Sequence, residues 1–129
     1  MHLAIKIAAA VLATICATAP VLATAADPTG TWQTSTGESR YTVSYCGDGT
    51  QLCAKLIWLR KDARTEENLP YLNHYVVKGA VAADENEWQG VVNYAGESFE
   101  GSLTMTDADS LKLNGCKGVF CKTMKLSRI

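Results

Sequence analysis

The chain has 129 residues, 47% of them apolar, with 12 basic and 13 acidic side chains and a formal net charge of −1. A balance this close to neutral argues against a nucleic-acid binder, which needs a clearly basic surface. The length leaves room for one ordinary domain.

Residues 1–26 read as a cleaved signal peptide. His2 and Lys6 lead into an apolar, Ala-rich run over 7–22, which ends on Ala23, Thr24, Ala25 and Ala26, the small residues a signal peptidase needs. The competing reading is a membrane anchor, because the uncharged stretch 7–26 is long enough to span a bilayer. Pro20 and the cleavage-like end favour removal, so the mature chain is not expected to be an integral membrane protein. What remains, 27–129, is a single domain with 11 basic and 13 acidic residues. Cys16 leaves with the leader. Cys46, Cys53, Cys116 and Cys121 remain, and an even count in a short exported domain reads as two disulfides.

The mature part carries almost no helical periodicity. Short alternating runs broken by Gly, Asp and Asn predict strands over 29–34, 39–46, 52–60, 75–82, 87–94, 98–106, 110–116 and 120–128. Strands this short with apolar inner faces must hide their edges. The expected fold class is therefore all-β, a small antiparallel barrel of about eight strands, with a two-sheet β-sandwich as the alternative. The one long connection, 61–73, is charged and is expected to be functional or mobile.

Strand alternation tests the cysteine pairing. If Cys46 faces Cys53, Tyr45 meets Ala54, Val43 meets Leu56 and Tyr41 meets Trp58, all on one apolar face. If Cys116 faces Cys121, Leu113 meets Met124 and Leu111 meets Leu126, at the cost of a like-charge pair, Lys112 against Lys125. A third hairpin turning over 95–98 sets Tyr94 against Phe99, Val92 against Gly101, Gly90 against Leu103 and Trp88 against Met105. These registers favour two local bridges among the three connectivities that four cysteines allow.

Gly30-x-Trp32, Cys46-x6-Cys53 followed by the Ile57-Trp58-Leu59 strand, Trp88-Gln89-Gly90, the Tyr94–Phe99 turn and Leu111–Cys116 together resemble the DUF2147 family of exported bacterial proteins. The resemblance implies a β-barrel domain in the periplasm of Gram-negative bacteria. It is looser at Ala54, where a Gly commonly follows the second cysteine, and at 66–70, where an Asp-x-x-Asn-Pro motif is blurred. A fainter similarity is to lipocalin-like barrels, which open on Gly-x-Trp and can close with an Arg over that Trp. Here it implies a barrel closure made by Trp32 and Arg128.

No motif for chemistry stands out. His74 is the one histidine of the mature chain and reads as a surface or packing residue. The cysteine spacings do not match a Cys-x-x-Cys redox pair, and oxidised cysteines cannot assemble a zinc site. Asp48 sits in a Gly-rich turn that lacks the acids of a calcium loop. No catalytic residue, metal ligand or cofactor is therefore expected.

Two features remain. Trp32, Tyr41, Tyr45, Trp58, Trp88, Tyr94 and Phe99 all fall on inward positions, where they either fill the barrel or line a pocket. Charge is also segregated: residues 84–109 hold seven acids and no base, while 110–129 hold five bases and no acid. That pattern suits either cross-strand pairing or a basic face for an anionic envelope component. The expected function is a non-catalytic periplasmic or secreted binding module for a small apolar or amphipathic ligand, gated by the 61–73 loop. The alternative is an inhibitor or partner of an envelope hydrolase that presents a stapled loop.

Overall fold

Apolar–polar alternation carries through eight strands in the computed structural model, which describes residues 27–94 and 96–129. They are β1 (Gly30–Thr34), β2 (Ser39–Cys46), β3 (Gln51–Leu59), β4 (Tyr75–Asp84), β5 (Glu87–Tyr94), β6 (Glu97–Asp107), β7 (Ser110–Lys117) and β8 (Phe120–Arg128). Each pairs antiparallel with its neighbour in sequence, and β1 pairs with β8 through Trp32↔Arg128, Gln33↔Ser127 and Thr34↔Leu126. The result is a closed barrel, not a sandwich. Closure removes every sheet edge, which is how so short a chain satisfies its backbone without a second layer.

Both cysteine pairs are bridged, Cys46 to Cys53 and Cys116 to Cys121. The β7–β8 register is the expected one, including Lys112 against Lys125. The other two hairpins are each displaced by two residues. Cys46 pairs with Gln51, Tyr45 with Leu52, Val43 with Ala54 and Tyr41 with Leu56, so the first disulfide runs diagonally on the outer face. Asp48 explains the tighter loop: its Oδ1 accepts from the Thr50 backbone N–H at 3.0 Å and from the Thr50 hydroxyl at 2.6 Å. In the β5–β6 hairpin Tyr94 pairs with Glu97, Val92 with Phe99, Gly90 with Gly101 and Trp88 with Leu103. Gly96, at φ +76°, permits this shorter turn, where a side chain would be strained.

The barrel's two ends differ. The β2–β3, β4–β5 and β6–β7 turns lie at one end with residue 27, and this end is capped. Pro28 and Trp32 are fully buried there, and the Trp32 indole N–H donates to the Pro28 carbonyl at 2.9 Å. The Arg128 guanidinium stacks on the Trp32 ring, 4.3 Å from its centroid. It donates to the carbonyls of Thr29 (2.6 Å), Asp27 (2.7 Å) and Ala108 (3.0 Å). Above this plug Trp88, Leu103, Met105, Leu111 and Leu126 are buried and fill the interior.

The long connection between β3 and β4 lies at the other end and is pinned rather than loose. It contains two short 3-10 turns, Lys61–Ala63 and Leu69–Tyr71. Arg64 Nε donates to the Leu59 carbonyl and Asn68 Nδ2 to the Ala63 carbonyl, both at 3.0 Å. Arg60 grips both carboxylate oxygens of Asp62, at 2.6 and 2.8 Å, and this holds the Asp62 carboxyl below its usual range.

Gly30 is the position at which the cap is most exposed to substitution. Its φ is +132°, and a Cβ there would lie 2.7 Å from Arg128 Nη1. Gly30→Ala is expected to lower the unfolding free energy by about 1–3 kcal/mol through backbone strain and this contact. In an Arg128→Ala background the added penalty should shrink, because only the strain remains. Urea unfolding of the four proteins of the cycle checks this, and an undiminished penalty would refute the contact.

Candidate functional site

At the uncapped end the interior is not filled. A cavity of about 480 Å³ opens between the β1–β2 turn, the β5–β6 hairpin and the β7–β8 hairpin. Its floor and walls are apolar: Val76, Val92, Leu113 and Met124, with the rings of Tyr41, Tyr94 and Phe99. Its mouth is polar, bordered by Ser35, Thr36, Glu38, Glu97, Lys122 and Lys125.

Strand alternation explains the lining. Met124 and Leu126 face inward on β8, so Lys122 falls on the same face one turn of the pleat nearer the mouth. Glu97 shares its face with Phe99 and Leu103 on β6. The polar residues at the base are satisfied internally. Thr34 Oγ1 accepts from the backbone N–H groups of Glu38 (3.1 Å) and Ser39 (3.2 Å), and the buried Ser39 hydroxyl donates to Tyr41 Oη at 3.2 Å. Burial pushes the Tyr41 phenol up to about 12, outweighing that hydrogen bond. Burial also raises Tyr94, with the Glu38 carboxylate adding to the effect. Both phenols therefore enter the cavity uncharged at neutral pH.

The structure divides the seven expected pocket aromatics three ways. Tyr41, Tyr94 and Phe99 line the cavity. Trp32 and Trp88 are buried in the filled part of the core. Tyr45 and Trp58 do not line the pocket, against expectation. Tyr45 lies at the capped end and is 47% exposed. Trp58 is turned outward by a bulge opposite Arg40/Tyr41, which pairs Trp58 with Arg40 and leaves the Arg40 guanidinium 4.3 Å from the Trp58 ring. The 61–73 loop supplies none of the lining residues; its Ala63 joins the core with Tyr71 and Leu72 packed against it, and the Gly96 N–H donates to Tyr71 Oη at 2.9 Å.

Sequence reasoning missed Lys122 and Glu97 as mouth residues. The signal was available in the alternation, since each is a charged residue in register with the apolar face of its strand.

His74 is exposed, and its carbonyl accepts from the Leu56 N–H. Among the described residues no three His, Cys, Asp or Glu side chains converge to hold a metal ion, and no helix is long and apolar enough to cross a membrane.

The fold thus defines the class: a closed eight-stranded antiparallel barrel, plugged at one end and hollow at the other. Residues 30–128 match the family described as "uncharacterized protein conserved in bacteria (DUF2147)". The chain belongs to that bacterial family. Comparison with curated proteins and with solved structures returns no match.

Tyr41 gives the site a pH signature. Its folded pKa lies above the ordinary 10.0, so the neutral phenol stabilises the fold fully below pH 10 and that contribution is lost as pH rises towards 12. Stability should fall by on the order of 2 kcal/mol across that window. Tyr41→Phe, with no phenol to ionise, should flatten the fall, as read from urea midpoints between pH 9 and 12. An equally steep decline in the variant would refute the assignment.

Proposed function

We propose that this protein is a non-catalytic binding module of the bacterial periplasm, whose hollow barrel end takes a small apolar or amphipathic molecule. The observation that carries this reading is the cavity of about 480 Å³ with an apolar floor and a polar mouth. Its volume lies within the range of about 300–1,000 Å³ typical of small-molecule sites. Tyr41 and Ser39 hold each other in place by a hydrogen bond, and the β7–β8 wall is stapled by Cys116–Cys121, so little ordering is left for binding to cost. Two disulfides in a member of a bacterial family support an oxidising compartment, which for a bacterium is the envelope or beyond. The signal peptide expected over 1–26 lies outside the described residues.

A second reading rests on a different observation. The β7–β8 hairpin tip, just beyond its disulfide, displays Val119 (90% exposed) and Phe120 (78% exposed). A rigid apolar tip of this kind suits the surface of an envelope protein, including a hydrolase that it would inhibit.

The test is titration with the neutral fluorescent probe N-phenyl-1-naphthylamine. The protein should enhance its emission, and Met124→Trp, which fills the cavity, should raise Kd about tenfold or more. Phe120→Ser, outside the cavity, should leave Kd unchanged. No enhancement by the wild-type protein, or equal binding by Met124→Trp, would refute the cavity reading and direct attention to the tip.

A further inference from the structure

Four charged side chains border the cavity, and they are not equivalent. Glu38 and Glu97 each have a cation outside the lining: Arg60 Nη2 lies 3.9 Å from Glu38, and Lys117 Nζ lies 3.9 Å from Glu97. The two lysines of the lining, Lys122 and Lys125, form no ion pair among the described residues. Each acid at the mouth thus has a cation at the outer limit of ion-pair distance, with Glu38 sharing Arg60 with Asp62, whereas neither lysine has an acid within that distance among the described residues.

Lys122 is also the better placed of the two. It pairs with Gly115, an inward position that carries no side chain. Lys122 therefore has no side chain opposite it across the strand pair, and it shares the inward face with Met124. Its stem can lie along the apolar lining with the ammonium at the water boundary, as long basic side chains do. Lys125 belongs to the outer face with Lys112 and borders the mouth from the β1 side.

We infer that the ligand is a single-chain amphiphile with an anionic head group, its apolar part on the Tyr41, Met124 and Leu113 floor and its head held by Lys122. This rests on the cavity being a ligand site, and adds the charge of what fills it. A carboxylate and a phosphate monoester present the same oxygen acceptors to an ammonium, so fatty acids and single-chain lipid phosphates share the required chemistry. A cationic head would meet the unpaired lysines, and a neutral one would leave them unanswered. The volume suits one short chain or ring system, not two chains.

The experiment is competition against N-phenyl-1-naphthylamine at neutral pH and low ionic strength, using decanoate, decyl phosphate, 1-decanol and decyltrimethylammonium, with direct calorimetric titration of decanoate alongside. The anionic compounds should bind about tenfold or more tightly than the alcohol, and the cation most weakly. The better of decanoate and decyl phosphate identifies the source class. The anionic advantage should shrink as salt is added. Lys122→Gln should remove most of it and Lys122→Glu should reverse it in favour of the cation, while Lys112→Gln, on the outer face, should change nothing. Equal displacement by all four compounds would overturn the head-group inference and leave the cavity reading intact. Failure of both the probe and decanoate to bind would overturn both.

Discussion

The barrel depends on one interaction more than any other, the engagement of Arg128 with the segment that precedes β1. Seven of the eight strand pairs join neighbours in sequence and can form as local hairpins. Only β1–β8 joins the two ends of the domain, and only three residue pairs make it. Such a contact must overcome the entropy of closing a loop of nearly the whole domain, and three pairs of ladder bonds give little margin. The guanidinium supplies the rest. Its planar fork reaches the carbonyls of Asp27, Thr29 and Ala108 while its face covers Trp32, and Asp109 lies 3.5 Å away. A lysine could offer neither the fork nor the flat face. The same contact gives hydrogen-bond donors to three backbone carbonyls at the barrel's end.

The asymmetry of the barrel follows. With the terminal segment drawn over one end, Pro28 and Trp32 plug it, and the side chains above them pack to a filled core. Among the described residues nothing comparable plugs the other end, although Ala63 of the β3–β4 connection joins the core and Tyr71 and Leu72 pack against it. The long β3–β4 connection is the one segment there with enough residues to do so, yet it spends its hydrogen bonds on β3, on itself and on the β5–β6 turn. The cavity is therefore what the topology leaves when its one plug has been used. Tyr41, at its base, is carried by the strand paired to β1, so the filled and hollow halves share a wall that capping holds in place.

The sequence made the strands and their faces legible because alternation is a local property, and all eight elements lie within a residue or two of expectation. Register was less legible. Both displaced hairpins slipped by two residues, which leaves every side chain on its expected face while changing its partner. Loop chemistry decides that choice: Asp48 folding onto Thr50 in one turn, and Gly96 at positive φ in the other. Trp58 fell to a different cause. A single bulge opposite Arg40/Tyr41 reverses the parity of β3, and no pattern of apolar residues marks it. The cavity was not legible at all, because it reflects the volume balance of side chains from β2, β4, β5, β6, β7 and β8 together. Its charged mouth was half legible, since Lys122 breaks the apolar face of β8 in plain view.

Charge segregation in the second half of the chain takes its meaning from strand order. The acidic residues belong to the end of β4, to β5, to β6 and to the turns between and after them, and the basic ones to β7 and β8. β7 lies beside β6, and one cross-strand ion pair forms there, Lys117 with Glu97. β8 lies between β7, which is itself basic, and β1, which carries no charged residue at all. Lys122 and Lys125 therefore have no acidic strand beside them, and Lys125 faces Lys112 directly. Exposed ion pairs are worth well under about 1 kcal/mol, so a sequence selected for stability alone would gain little from pairing these lysines. It would, however, avoid opposing two of them across a strand pair. The Lys112–Lys125 opposition costs the fold a little, and Lys122 places a cation without an ion-pair partner among the described residues at the rim of an apolar cavity, where low-dielectric walls strengthen its pull on an anion.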